Sequence, residues 1–176
     1  IKRGYLALFH KDIPSEPDGK YKTDERNEIL AGKDHDLIQD YDLIVVGAGP
    51  SGLFCAINSF QKGKRILILE KKNSPGHKLL ISGSGQCNIT HAGEISDFLA
   101  HYGDHGRFLR PALLGFTNCD LISFFAKSGL GMVQEKGGKV FPESMQSRDV
   151  LNVLTSQCRK LGLEIKCGEA AKSINR

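Results

Sequence analysis

The sequence predicts an α/β domain built on a parallel sheet, and three observations predict it. Asp42-Leu43-Ile44-Val45-Val46 becomes an apolar run that ends at a glycine. That is the pattern of a strand buried on both faces of a parallel sheet. Gly47-Ala48-Gly49-Pro50-Ser51-Gly52 follows at once, and Ser51 to Lys62 reads as a helix with Leu53, Ala56, Ile57 and Phe60 on one face. Arg65 to Leu69 is a second short apolar strand, closed by Glu70. Strand, helix and strand in immediate succession form a βαβ unit, whose two strands run parallel.

The remaining elements follow in order. Residues 1–40 form a polar N-terminal extension, with the turn-rich stretch Ile13 to Lys20 and the charge-dense stretch Tyr21 to Gln39. This composition reads as mobile. Gly4 to His10 is more apolar and suited to packing on the domain. Gly63 is placed to end the first helix as its C′ residue. Ile95, Phe98, Leu99 and Tyr102 show helical spacing, as do Leu109, Ala112, Leu113 and Phe116. Thr117 or Asn118 caps a further helix carrying Leu121, Ile122, Phe124 and Phe125, stopped at Gly129. Met132 to Gln134 and Lys139 to Phe141 flank Gly137-Gly138, which predicts a hairpin with Lys136 to Lys139 at its tip. Ser147 caps a helix whose Val150, Leu151, Leu154, Cys158 and Leu161 share a face, and Leu163, Ile165 and Cys167 alternate as a returning strand. The domain at 41–176 is therefore a βαβ opening, a helical insertion, a hairpin and a return to the sheet.

Composition excludes several classes. The chain of 176 residues is 40% hydrophobic and 25% charged, ordinary for a globular protein. No apolar run approaches the ~20 residues that span a bilayer. The net charge of +4 is scattered without a basic stripe, so neither nucleic acid nor membrane is an expected partner. The five cysteines (Cys55, Cys87, Cys119, Cys158 and Cys167) contain no C-x-x-C pair, and their odd count argues against a secreted disulfide framework. A reducing cytoplasm is the expected location. Of the six histidines, His101 and His105 have i, i+4 spacing, but Gly103 and Gly106 interrupt the stretch, and no metal site is expected. The chain begins with Ile1 and stops at Arg176 soon after a strand, and is expected to be the N-terminal part of a longer protein.

Gly47 to Gly52 matches G-x-G-x-x-G in the context its mechanism requires, after a buried strand and opening a helix. Gly47 permits the tight turn. Gly49 lets the backbone approach a pyrophosphate, and Gly52 lets helix and strand pack closely. The helix N-terminus offers unpaired N–H groups and a positive dipole end to phosphates. Glu70, 18 residues after Gly52, is placed to accept hydrogen bonds from ribose hydroxyls and to repel a 2′-phosphate. These residues specify an adenine dinucleotide.

The segment Gly76-His77-Lys78-Leu79-Leu80-Ile81-Ser82-Gly83-Ser84-Gly85-Gln86-Cys87-Asn88-Ile89-Thr90 is more specific. Glycines at 83 and 85 let main chain approach a flat ring. The backbone N–H groups and the side-chain amides of Gln86 and Asn88 are candidate donors to such a ring. With GAGPSGL, LEK and the later GGKVFPESMQSRDVLNVL and LGLEIK, this segment resembles the BaiN/YhiN-like family of FAD-dependent oxidoreductases over Tyr41 to Ile174.

The resemblance implies a Rossmann-like FAD-binding domain of the glutathione-reductase-like group, truncated before its substrate domain and C-terminal FAD-binding segment. It places Gly47, Ala48, Gly49, Pro50, Ser51 and Gly52 at the pyrophosphate and Glu70 at the adenosine ribose. Lys71, Lys78 and Leu79 lie near the adenosine or pyrophosphate. Ser82, Gly83, Gly85, Gln86, Cys87 and Asn88 run beside the flavin, and Ala171 meets the adenine through its backbone, where the family often has Val. The implied cofactor is FAD, with NAD(P)H as a transient electron donor and a small organic molecule as substrate. Cys87 lacks a nearby resolving cysteine and is expected to pack rather than react. The same fingerprint serves an NAD-dependent dehydrogenase, against which the Ser82–Asn88 loop argues. It also serves a nucleotide-binding module without turnover.

Overall fold

A computed structural model describes residues 7–9 and 41–173. In chain order the elements are β1 (Ala7–Phe9), β2 (Leu43–Val46), α1 (Pro50–Asn58), β3 (Ile66–Glu70), α2 (His77–Ile81), β4 (Thr90–His91), α3 (Ile95–His101), α4 (Gly106–Gly115), α5 (Asn118–Lys127), β5 (Met132–Gln134), β6 (Lys139–Pro142), α6 (Ser147–Lys160) and β7 (Glu164–Cys167). Residues 1–6 and 10–40 of the expected polar extension, with most of the Gly4 to His10 stretch, lie outside the described residues. Ala7–Phe9 pairs antiparallel with β2.

The main sheet runs β1-β2-β3-β7, with β2, β3 and β7 mutually parallel. This is the Rossmann-like α/β fold with helical insertion that the sequence predicts. Both crossovers step across the sheet in the same direction. Right-handed connections then put α1 and α6 on one face. The two helices do meet there: the Cys158 Sγ on α6 lies 4.0 Å from the Leu53 carbonyl oxygen on α1, and both residues are buried. Leu43, Val45, Ile68, Ala56, Val150 and Leu154 complete that core.

One expectation fails here. β2 is not buried on both faces: Leu43 and Val45 are buried, but Ile44 and Val46 are half-buried. Both helices cover the same side, so the opposite side is only partly covered among the described residues.

The second sheet is β4-β6-β5, with both pairings antiparallel. The predicted hairpin is β5–β6, in the register Met132↔Pro142. β4, at the end of the Gly76–Thr90 segment, is an addition to the expected elements. Asn118 joins this sheet to the helices: its buried amide donates to the carbonyls of His91 (2.9 Å) and Gly93 (3.0 Å).

Helix ends differ from expectation in two places. α1 stops at Asn58 with Ser59 as its C-cap, so Phe60 lies beyond the helix and is 38% exposed. Gly63 does take a positive φ of 87°, but in the following turn, where Lys64 N–H bonds to Gln61. Before α6 the extended residue is Gln146, and Ser147 is already helical and buried. The predicted cap of α5 is Thr117, in a reciprocal capping box with Asp120. Gly129 follows α5 with φ 86°.

Candidate functional site

The site is assembled at the carboxyl ends of β2, β3 and β7, where ligands of open α/β sheets bind. At its centre is the turn Gly47–Gly52. Gly47 takes φ 107° and donates its N–H to the Leu69 carbonyl at 2.7 Å, bending the chain off β2. Gly52 is buried, and a Cβ there would sit 1.9 Å from the Gly47 carbonyl oxygen. No other residue fits at this contact. Gly49 is the extended N-cap of α1, and Pro50 opens the helix. No side chain caps this turn, and Leu53 is the first residue whose N–H bonds back, to Gly49 at 2.9 Å. The Ser51 and Gly52 N–H groups before it have no partner within the helix, an arrangement suited to an anion. Ser51 is exposed beside it.

Glu70 ends β3 and reaches back to this turn. One carboxylate oxygen accepts the Ala48 N–H at 2.9 Å, and the other accepts the Lys72 N–H at 2.9 Å. Each oxygen has a second lone pair, so both remain able to accept a ribose hydroxyl. The chain leaving β7 closes over the same place. Glu169 donates to the Glu70 carbonyl at 3.0 Å, and Gly168 to the Lys72 carbonyl at 2.9 Å. Ala171 follows, exposed, a few residues on. Cys167 pairs with Glu70 across the β3–β7 ladder. Burial and the neighbouring Glu70 charge push its thiol up from its ordinary pKa. Lys71 and Lys78 are exposed, while Leu79 packs against the core.

The second glycine segment docks directly on the first. Gly76 donates its N–H to the Ala48 carbonyl at 2.9 Å, with φ 70°. Leu151 of α6 packs onto its Cα, leaving 2.5 Å between a Cβ there and the nearest Leu151 methyl. Ala48 is thus held on both polar groups, by Glu70 through its N–H and by Gly76 through its carbonyl. Gly76 was not among the expected site residues, although it opens the motif that pointed to the flavin.

After α2 the chain makes a tight turn over Ser82–Gly85. Gly83 (φ 58°), Ser84 (φ 54°) and Gly85 (φ 84°) are consecutively left-handed. Ser84 is a strained position, since an L residue rarely adopts that backbone. Gly83, Ser84 and Gln86 are exposed, and the Gln86 N–H is taken by the Gly83 carbonyl at 3.0 Å. Oriented so that its nitrogen faces acceptors, the Asn88 amide donates to the carbonyls of Thr90 (2.7 Å) and Val140 (3.1 Å), which ties the loop to β4 and β6. Only its amide oxygen remains for a ligand. Cys87 is half-buried against the core, and burial raises its thiol pKa. Among the described residues no group of three His, Cys, Asp or Glu is arranged to hold a metal ion. No helix among them is long and apolar enough to cross a membrane.

The family can be stated at this point. Residues 41–176 match the family described as HI0933-like protein Rossmann domain. The chain belongs to that family. It is 30% identical to the ribosomal RNA dihydrouridine synthase of Escherichia coli over 123 residues, 70% of this chain and 30% of that protein. The protein of the same name from Haemophilus influenzae is 32% identical over 76% of this chain and 32% of its own length. The 3-dehydro-bile acid delta(4,6)-reductase of Clostridium scindens is 31% identical over 74% of this chain and 32% of its own length. The chain thus spans about a third of the curated relatives it matches.

Proposed function

We propose that this chain is the FAD-holding part of an FAD-dependent oxidoreductase of the BaiN/YhiN-like type, and that it reduces a carbon–carbon double bond in an organic substrate. The observation that carries the reading is the double hold on Ala48, which brings the pyrophosphate-type turn, the ribose-type carboxylate and Gly76, the start of the second glycine segment, together in one place. A dinucleotide laid along Glu70, the α1 N-terminus and the Ser82–Asn88 loop would meet acceptors, donors and a flat, side-chain-poor surface in that order. This order suits adenosine, pyrophosphate and a flavin ring. An NAD-dependent dehydrogenase needs only the first two.

The residues fit the roles proposed for them. Gly49, Ser51 and Gly52 hold the pyrophosphate through backbone N–H groups, in a turn shaped by Gly47, Ala48 and Pro50. Glu70 orients the ribose and disfavours a 2′-phosphate. Lys71, Lys78 and Ala171 border the adenosine end. Ser82, Gly83, Gly85, Gln86 and Asn88 border the ring, with Cys87 packed beneath them. Bound there, FAD supplies hydride transfer, fed by a nicotinamide nucleotide acting as a transient donor. The double-bond class comes from the relatives' names, which denote reductions of a uridine and of a steroid acid.

The test is an absorption spectrum after mixing with FAD and removing unbound flavin. Retained bands near ~450 nm, a property of the flavin, support the reading. Retention of NAD but not FAD would sink it. Oxidation of NADH by the FAD-loaded full-length protein then separates an enzyme from a nucleotide-binding module without turnover.

A further inference from the structure

Leu151 lies on α6, outside every glycine motif, and is buried in the core. It is also the side chain that packs on Gly76. A Cβ on Gly76 would find three Leu151 carbons nearest to it, at 2.5, 2.7 and 3.1 Å. Gly76 is itself buried. Main chain reaches an isobutyl group this closely only where a Cβ is absent, and a close-packed interior holds it there.

Two hydrogen bonds leave this seat. Gly76 donates its N–H to the Ala48 carbonyl at 2.9 Å, and its own carbonyl accepts the Leu80 N–H at 3.1 Å. The second bond opens α2, which ends at Ile81 and leads into the Ser82–Asn88 loop. The first bond does more than tie two loops. The Ala48 carbonyl and the Gly49 N–H belong to one planar peptide, which is trans. In a trans peptide the two groups point in opposite directions. Fixing the carbonyl toward Gly76 therefore aims the Gly49 N–H away from the core. Glu70 fixes the preceding peptide through the Ala48 N–H. Leu151 is thus joined to the direction of the Gly49 N–H by one packing contact and one hydrogen bond.

We propose that Leu151 is a positioning residue for the bound dinucleotide: it seats Gly76, and through the Ala48–Gly49 peptide it sets the direction of an N–H offered to the pyrophosphate. The inference rests on the FAD reading for the identity of the ligand. It goes beyond that reading by giving a core side chain control over the anion turn.

Leu154 supplies the control. It is the same side chain three residues further along α6 and is as deeply buried in the same core. Both Leu→Ala deletions destabilise the fold, so each measurement is made per folded molecule. Titration with FAD, read by fluorescence quenching, should show about tenfold weaker binding in Leu151→Ala than in Leu154→Ala. Leu151→Met keeps the volume and should bind within about twofold of the parent. In the ligand-free 15N-labelled chain, amide exchange at Gly76 is compared with that at Ile68, a core-strand amide. This ratio should rise about tenfold in Leu151→Ala and stay at the parent value in Leu154→Ala. Where the alanine variants fail to fold, Leu151→Val and Leu154→Val replace them, with an expected difference of about threefold. Equal weakening of FAD binding in the two variants, or an unchanged Gly76 ratio in the Leu151 variant, would overturn the proposal. If the parent binds FAD and the two variants weaken it alike, the positioning role alone fails. If Gly76 responds as expected and the parent binds no FAD, the seat stands and the flavin reading fails.

Discussion

The carboxylate of Glu70 holds the backbone N–H of Ala48 at 2.9 Å, across the gap between the end of β3 and the glycine turn after β2. A residue chosen by its spacing to meet a ribose thus also braces the turn proposed to meet the phosphates. Its other oxygen braces the Lys72 N–H. The proposed binding role and the bracing of the turn fall to one side chain.

Replacing Glu70 therefore affects both roles. Glu70→Ala removes a charged acceptor from two backbone donors and from the ligand. A hydrogen bond to a charged group contributes ~1.5–3 kcal/mol, so FAD affinity should fall about tenfold to a hundredfold. Fluorescence quenching of FAD measures this. Amide exchange at Ala48 in the ligand-free protein should also quicken, a readout that ribose contact alone would leave unchanged.

The glycines make a steric prediction. Gly52→Ala puts a methyl 1.9 Å from the Gly47 carbonyl, where backbone must move. The expected cost is ~3 kcal/mol or more, at the upper end for overpacking, with a large drop in the thermal midpoint. Gly76→Ala meets the Leu151 side chain instead, 2.5 Å away, and also keeps a strained positive φ. Adding Leu151→Ala relieves the clash while opening a cavity. The double variant should be less destabilised than the sum of the two singles, a coupling of ~1 kcal/mol or more in denaturant titrations.

Much of this arrangement was legible in the sequence, and the reasons differ by element. The βαβ unit was readable because strand period, glycine spacing and Glu70 are all local signals. The hairpin at Gly137-Gly138 and the Thr117 capping box are local too. What could not be read were contacts made across the fold. Nothing near Asn88 in sequence announces that its amide nitrogen is committed to Thr90 and Val140. Gly76 shows its role only when Ala48 and Leu151 arrive from elsewhere in the chain. The half-covered face of β2 was misjudged because an apolar run reports hydrophobicity, not how many layers cover it. The end of α1 was overshot because Phe60 continues the helical spacing past Asn58, where the helix stops.

Asn118 is a purely structural pin and gives a contrasting prediction. Asn118→Ala withdraws donors from the His91 and Gly93 carbonyls at a buried position. Leaving them unpaired should cost ~1–3 kcal/mol. The loss should appear in denaturant midpoints, while FAD affinity per folded molecule stays close to that of the parent chain.

Acid stability should depend on Tyr41. Its hydroxyl donates to Glu164, and this bond is the main reason the Glu164 carboxyl is held below its ordinary pKa, with Lys166 adding to it. The folded pKa lies below the unfolded one. The stabilisation is therefore present above the usual carboxylate range and is lost as pH falls through it to the depressed folded value. Tyr41→Phe should lower the thermal midpoint at neutral pH and flatten its decline on acidification. An unchanged slope below pH ~4.5, the ordinary carboxyl range, would remove Tyr41 from this role.

The cysteines offer a test of the fold that needs no ligand. Alkylation requires the thiolate and access to it. Cys158 has neither in the folded chain: it is buried between α6 and α1, and burial pushes its pKa up to about 11. Cys87 is half-buried and shifted in the same direction by the same cause. Cys119, at the start of α5, is exposed. Brief treatment with iodoacetamide at pH ~8, followed by peptide mass mapping, should label Cys119 first and Cys87 slowly. Cys158 should react only after denaturant is added. Its exchange-limited labelling then reports global unfolding, because the α1–α6 contact that shields it is the centre of the core. Early labelling of Cys158 would mean that α6 does not pack on α1 as described, and the docking of Gly76 against Leu151 on that same helix would be in question with it.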